Sequence, residues 1–474
     1  MKASLATLIL ILLLSNLVKS QDLVSVSFLN TLTSNDLEAV VGTPVDYDVN
    51  TYKIVYTTTD VDGSSTIASG AFCVPAGPLT CDSFPIGVYE HGTSLNKNDV
   101  PSRDVFEAII GKIFAGGGFF MILPDYLGMG DSPNLHPYCH GETEATATLD
   151  MIRATRSFIS DSLGMSDNGE LFITGYSQGG HAAMATHKYI QENNLYSEFN
   201  VLASAPCSGP YEISGAMADT ILAASYSNPG YIVYVLASYQ RVYGNLYNNY
   251  ADILNSPYDT IVVPYFDGNN YSLGMGSLND LLPSQVDSLI VDTVLQNFLN
   301  AQSNYNHPLW QAMLNNDNHD WTPERPVRMY YCTEDEQVAF NNALVAEATM
   351  NSNGASDVTA IDMGALNHND CVIPTLTDVF SWWQSLRSSC LLNLAVSESK
   401  LLLYPNPAEN VLNIEWEGNG TIQGLITDAT GRTILEITPF ENSSSISIEG
   451  LSEGIYFITL NNGGNGIQSI FKKM

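Results

Sequence analysis

The sequence predicts an α/β fold with a mostly parallel sheet, interrupted by a largely helical insertion and followed by a small all-β sandwich. Three observations predict it. Strand-like and helix-like patterns alternate from Phe84 to Ser208 and resume at Arg325. Between them, residues 209–323 lose that rhythm and are rich in Tyr, Asn and Leu. From residue 393 onward the chain consists of short strands between Gly, Asn and Ser turns.

The elements follow in order. "MKASLATLILILLLSNLVKSQ" has a positive start at Lys2, an apolar run from Leu5 to Leu14, and small Ser20 before the cut. It reads as a secretory signal over residues 1–20, removed before Gln21. The run is too short for a membrane span, and no later stretch is long enough. No cysteine follows the cut, so a lipoprotein anchor is not expected. "YKIVYTTTDVDGSSTIASGAFCVP" reads as a hairpin turning at Asp62-Gly63. "DVDG" resembles the start of a calcium loop but lacks the later glutamate, so the turn is preferred. "FPIGVYEHG" and the continuous apolar "GGFFMILPDYLG" are strands. "ETEATATLDMIRATRSFI" is a helix with Ala145, Leu149, Ile152 and Ile159 on one face. "GELFITG", "QGGHAAMATHKYIQEN" and "NVLASAPCSG" read as strand, helix, strand. The insertion carries helix-like pieces such as "MADTILAASY" and "QVDSLIVDTVLQNFLNAQ", and an insertion at this place reads as a cap over the strand ends. "RPVRMYYC", "DVTAIDMG" and "TLTDVFSWWQSL" complete the sheet and its last helix.

Composition bounds the function. The 474 residues suit one large domain plus a smaller one. Hydrophobic residues are 45% and charged residues 14%, which argues against disorder. The formal net charge is -33, a surface that repels nucleic acid and anionic membranes and keeps the chain soluble. There are 7 cysteines: Cys73, Cys81, Cys139, Cys207, Cys332, Cys371 and Cys390. In an exported chain some should pair, and the odd count leaves at least one unpaired. No CxxC pair exists, so a zinc ribbon has no support, and no metal or cofactor is expected.

Gly175-Tyr176-Ser177-Gln178-Gly179 is a G-x-S-x-G turn between a predicted strand and a predicted helix. Such a turn lifts the Ser177 hydroxyl above the sheet edge, at a helix N-terminus that favours negative charge. A serine needs a base. In folds with this turn the order along the chain is serine, acid, histidine. His368 in "GALNHNDCVIP" lies between the last strand and the last helix and is the expected base. His307 and His319 fall in the cap, and His181 and His187 on the helix after Ser177, where packing or solvent exposure explains them. "YYCTEDEQV" offers the acid, with Asp335 chosen and Glu336 in reserve. Cys332 and Cys371 lie close to the acid and the base, and a bridge between them would clamp the two loops. The oxyanion donors are expected to be the backbone N–H groups of Gln178 and of Thr93 in "VYEHGTS", with His91 bracing that loop.

At "YEHGTS", "LPDYLGMGDS", "GYSQGGHAAMA", "EDEQV" and "NHNDC" the chain resembles the α/β-hydrolase superfamily, within it the secreted lipases and esterases. The resemblance covers Phe84 to Leu386 apart from the insertion. It implies an α/β-hydrolase fold over residues 21–392 and a triad of Ser177, Asp335 and His368. It also implies Thr93 and Gln178 at the oxyanion hole and a lid controlling acyl access. The tail, residues 393–474, is similar to the C-terminal sorting domain of type IX secretion at "LYPNPAENVLNI", "ITDATGR", "GLSEGIYFITL" and "FKKM". That implies export to the surface or medium, with the secretion machinery as partner. The resulting expectation is a secreted serine hydrolase of carboxylic esters, lipids among them. Its rivals are a serine peptidase of the same superfamily and a non-catalytic surface protein. For the tail, the rival is a carbohydrate-binding sandwich.

Overall fold

Nine strands build one sheet in the order β1-β2-β3-β5-β4-β6-β7-β8-β9. They are β1 (Leu23–Leu32), β2 (Asp48–Thr59), β3 (Ser65–Ala76), β4 (Ser83–Glu90), β5 (Phe120–Pro124), β6 (Ser166–Tyr176), β7 (Asn200–Cys207), β8 (Val327–Tyr331) and β9 (Val358–Asp362). The computed structural model describes residues 22–388 apart from 78, 80 and 224, and residues 400–474 apart from 418–420, 429–431 and 462–465. The expected signal segment and the expected boundary at 392/393 lie outside the described residues. By its contacts the chain divides into residues 1–390 and 391–474.

The first three strands and the β3/β5 pair run antiparallel. From β5 through β4, β6, β7 and β8 to β9 every pair is parallel. Pattern follows position. Edge strand β1 has no buried residue, whereas all five residues of β5 are buried, as a strand covered on both faces must be. The β2–β3 hairpin turns where the sequence predicts, with Gly63 at φ 80 and the Asp62 carboxylate accepting the Ser64 N–H at 2.8 Å.

Of the helices, α1 (Ala108–Gly116) and α2 (Gly141–Phe158) pack on β2, β3 and β5, and α3 (Gln178–Glu192) packs on β4, β6 and β7. In α2 the predicted apolar face is buried at Ala145, Leu149 and Ile152. Ile159 falls in the wider turn Ile159–Leu163 that follows and is buried there. The insertion after β7 holds short helices, among them α4 (Pro229–Tyr243), α5 (Asp292–Asn300) and α6 (Pro308–Leu314). It has its own core, where Phe298 and Trp310 stack at 4.2 Å and Tyr138 stacks on Tyr234 at 4.3 Å. "QVDSLIVDTVLQNFLNAQ" is not one helix. Val286–Leu289 and α5 are separated because Ile290 pairs with Leu254 and Val291 donates to the Ile253 carbonyl at 2.9 Å. Helices α7 (Asn341–Ser352) and α8 (Val372–Leu386) close the unit.

The second unit has two antiparallel sheets, β10-β11-β14 and β13-β12-β15-β16. The strands are β10 (Lys400–Tyr404), β11 (Val411–Glu417), β12 (Ile422–Asp428), β13 (Thr433–Phe440), β14 (Ser443–Ser447), β15 (Gly454–Asn461) and β16 (Gly466–Lys473). Leu412 and Ile414 of one sheet bury against Ile426, Ile458 and Phe471 of the other, which is a sandwich core.

Cys332 and Cys371 form a disulfide with Cα atoms 6.1 Å apart, and Cys81 is also disulfide-bonded. Cys73, Cys139 and Cys207 are free and buried. Among the described residues no helix is long and apolar enough to cross a membrane.

Candidate active site

Strand β6 ends at Tyr176 and α3 begins at Gln178, so Ser177 makes the whole turn, at φ 60 and ψ -120. A side chain in that backbone region is strained by roughly 1–3 kcal/mol, and the surroundings must hold it. They do so through glycines. A Cβ on Gly175 would lie 2.2 Å from the Gly179 carbonyl oxygen, and one on Gly179 would lie 1.9 Å from that of Glu90. The Ser177 N–H donates to the Cys207 carbonyl at 2.9 Å, which ties the turn to β7.

Past β8, Asp335 accepts the Gln337 and Val338 N–H groups on Oδ1, at 3.0 and 2.8 Å. Its Oδ2 is 2.7 Å from Nδ1 of His368. Both groups are buried, so the carboxylate is aimed from one side and meets the ring with the other. Glu336 does not touch that ring. Its Oε2 accepts the His368 backbone N–H at 3.1 Å. The His368 carbonyl in turn accepts the Tyr176 hydroxyl at 2.6 Å, which moors the histidine loop beside Ser177. The Cys332–Cys371 disulfide joins the two loops from below.

The loop after β4 lies on the other side. A Cβ on Gly92 would be 3.9 Å from the Ser177 Cβ. Glu107 accepts both the Gly92 N–H and the Tyr89 hydroxyl, at 2.8 and 2.7 Å. The His91 ring packs on Tyr126 at 4.4 Å and lies 2.7 Å from the Gly92 carbonyl, so it braces the loop. Thr93 meets the Tyr138 hydroxyl through its side chain at 3.0 Å. Among the described residues the Thr93 and Gln178 N–H groups have no protein acceptor. For Gln178 this is the normal state of a first-turn helix donor.

A cavity of about 470 Å³ opens over this place. Ser177, Gln178 and Tyr138 line it at the sheet end, and Ile213, Met217, Ile232, Val235, Leu236 and Phe298 of the insertion form its apolar walls. Ser177 is 6% exposed and His368 4%, and Ser177 lines the cavity.

Of the other histidines, His140 lies 3.0 Å from the Thr143 hydroxyl. His307 accepts the Leu309 N–H at the start of α6, and His319 lies 3.6 Å from Glu212. Burial pushes His187 down to about 3, helped by Arg325, and the ring sits 2.8 Å from the Ser204 hydroxyl. Cys139, Glu144 and His181 place three potential ligand atoms within 4.8 Å. Both imidazole nitrogens are engaged by protein groups, Nδ1 by Glu144 at 2.7 Å and Nε2 by the Asn316 carbonyl at 2.9 Å and the Asn318 amide at 3.0 Å. Sequence reasoning missed Tyr138, His136 and Glu144, all buried around Gln178. Nothing in their spacing along the chain marks them.

Residues 107–385 match the family described as secretory lipase, and residues 402–474 match the secretion system C-terminal sorting domain. No curated protein matches. Among solved structures the chain is similar to the rice cell wall degrading esterase LipA of Xanthomonas oryzae. Identity is 28% over 77% of this chain and 99% of that one, with TM-score 0.69. A putative hydrolase of Legionella pneumophila gives 25% identity over 78% and 99%, with TM-score 0.70. Lipase A of Candida antarctica shares the fold, at 15% identity over 78% and 84%, with TM-score 0.57.

Proposed function

The chain belongs to the secretory lipase family and carries a C-terminal sorting domain, and from that premise we propose that it is an exported serine hydrolase cleaving carboxylic esters through an acyl-enzyme. Ser177 Oγ attacks the ester carbonyl carbon while His368 takes its proton on Nε2. Asp335 keeps Nδ1 protonated and stabilises the imidazolium. The tetrahedral oxyanion is received by the Thr93 and Gln178 N–H groups, each worth roughly 3 kcal/mol in such a role. His368 then protonates the departing alcohol, and the acyl-enzyme is cleared by water that His368 activates. The scheme uses no metal or organic cofactor. The tail addresses the chain to the type IX machinery after a leader has taken it across the inner membrane.

The observation that carries this reading is Ser177 in its strained turn at the end of an apolar cavity. A cavity of about 470 Å³ with mostly apolar walls is of the size that encloses a small organic ligand. That favours a medium or long acyl chain over acetate. The test is hydrolysis of p-nitrophenyl esters of increasing acyl length, beside a proline-containing peptide nitroanilide, by wild type and Ser177→Ala. Ester turnover that vanishes in the variant is expected. Ester turnover that survives in Ser177→Ala overturns the mechanism, and cleavage of the anilide alone moves the protein to the peptidases.

A further inference from the structure

Gln178 offers its backbone N–H to the oxyanion in the reading above, and its side chain has a separate destination. Its amide nitrogen joins a buried polar chain, while its Oε1 has no partner among the described residues. The Gln178 amide nitrogen lies 2.6 Å from Nε2 of His136 and 3.1 Å from Oε1 of Glu144. The tautomer of His136 follows from chemistry. Its Nδ1 is 2.8 Å from the Leu127 carbonyl, which can only accept. Nδ1 therefore carries the proton, and Nε2 is the acceptor that Gln178 needs. Burial, with Glu144 and Leu127 opposing it, pushes His136 down to about 4, consistent with a neutral ring.

Glu144 continues the chain. Its second oxygen pairs with His181 Nδ1 at 2.7 Å, and His181 Nε2 lies 2.9 Å from the Asn316 carbonyl and 3.0 Å from the Asn318 amide nitrogen. Glu144 and His181 thus form a fully buried pair, with the Nδ1 side of the ring turned to the carboxylate. Burial opposes charge on both partners, and their mutual attraction with these hydrogen bonds overcomes it. The carboxyl stays below its usual range and the imidazole above. His136, Glu144, Gln178 and His181 are each no more than 2% exposed.

Both ends of the chain reach the cap. Ser238 of α4 donates to the His136 carbonyl at 2.8 Å, and the His136 ring meets Tyr234 edge-on at 5.9 Å. Tyr239 of α4 donates to the Cys139 carbonyl at 3.0 Å, and Arg241 binds the Leu135 carbonyl. At the far end, Asn316 follows α6 and accepts the Gly141 N–H at the start of α2. Polar groups in a low-dielectric interior hold geometry strongly, because every alternative leaves one of them unpaired.

We propose that His136, Glu144 and His181 are positioning residues that fix the Gln178 backbone N–H through its side chain, and that Ser238 and Asn316 make this alignment depend on the seating of the cap. This rests on Gln178 serving the oxyanion. An unseated cap then leaves the donor misaligned, and the acyl cavity and the oxyanion hole are completed together.

The experiment uses the mature full chain with His136→Phe, Gln178→Met, the double variant and Ser238→Ala. His136→Phe keeps an aromatic ring against Tyr126 and Tyr138 and removes the acceptor. Gln178→Met keeps the volume and the backbone N–H and leaves His136 in place, which covers the case of a His136 variant that does not fold. Four quantities are measured: kcat, KM, affinity for an alkyl boronic acid that adds to the serine as a tetrahedral anion, and affinity for a fatty alcohol of the same chain length. Each single variant should lower kcat and boronate affinity together, about tenfold, with KM and alcohol affinity within about twofold. The double variant should cost no more than the worse single one, since both act through one amide. Ser238→Ala should lower kcat about threefold without moving KM. Unchanged kcat in both single variants, losses that multiply in the double variant, or equal losses of boronate and alcohol affinity each overturn the positioning role. An unchanged kcat in Ser238→Ala removes the coupling to the cap. Failure of the boronate to bind wild type would count against the serine mechanism itself, and so is separable from these outcomes.

Discussion

Replacing Cys332 and Cys371 together by alanine should loosen the site more than it loosens the fold. The two cysteines are 39 residues apart in sequence. In the chain-entropy account, opening a loop of about 40 residues costs about 4 kcal/mol of stability. Spread over an unfolding entropy for about 370 residues, that is a fall of about 5 °C in Tm. The site is affected by place. Asp335 lies three residues after Cys332 and His368 three before Cys371, so the bridge spans the pair that meets at 2.7 Å. Other restraints survive, notably the Tyr176 hydroxyl on the His368 carbonyl and Glu336 on the His368 N–H. The pair should therefore sample separation without losing its partners, and kcat should fall about tenfold, equivalent to about 1.4 kcal/mol, with KM little changed. The variant is preferable to a reductant, since Cys81 is also disulfide-bonded and would be opened too. The assay is steady-state ester hydrolysis beside a calorimetric melt. Wild-type kcat with a lowered Tm would refute the clamp while leaving the staple, and wild-type values of both would refute the whole argument.

Three further outcomes follow from the same geometry. Each methylene added to the acyl chain should raise kcat/KM about fourfold, from about 0.8 kcal/mol of burial, until the cavity is full; Val235→Trp should move the break to shorter chains, and a flat series would contradict the acyl assignment. Burial pushes His136 and His140 down to about 4 and His187 to about 3, all below the unfolded value of 6.5. Between pH 6.5 and 4 the unfolded chain thus binds more protons, so this stability is complete above pH 6.5 and is lost as pH falls, by up to about 1.4 kcal/mol per pH unit for each ring; His187→Asn should make urea midpoints less sensitive to acid, and an unaltered slope would count against it. Burial raises Glu90 to about 8, with the Thr148 hydroxyl opposing, so its contribution has the other sign. It is complete below pH 4.5 and lost as pH rises through 8, on the order of 5 kcal/mol in all; Glu90→Gln should gain stability over wild type on the alkaline side, and a constant difference across pH would show that the carboxyl does not titrate there.

What was legible in the sequence is what a short stretch dictates alone. Gly175 and Gly179 are required by neighbours within the same turn and one adjoining strand, so the serine turn announces itself. The alternation of strands and helices from Phe84 is likewise local, as is the Asp62-Gly63 hairpin. The acid was legible only as a neighbourhood. Asp335 and Glu336 are consecutive, and what separates them is direction: one side chain meets the imidazole and the other the backbone N–H of the same histidine. The cap was legible as a break in rhythm and misread within. The helix expected across residues 285–302 is split at Ile290 by Leu254, a partner on a different segment of the insertion. The chain through His136 and Glu144 left no mark at all, because a polar residue that will be buried looks the same in a sequence as one that will face water.

Seven cysteines in an oxidising compartment carry a risk of wrong pairing that the finished fold removes. A disulfide is exchanged by a thiolate, never by a thiol. Burial pushes the thiols of Cys73 and Cys207 up to about 12, and that of Cys139 up as well. At pH 8 that leaves on the order of one thiolate in ten thousand at Cys73 or Cys207. Shuffling is open to the unfolded chain and is closed once β3 and β7 enter the sheet, so collapse of the core is also what makes the pairing of Cys332 with Cys371 permanent.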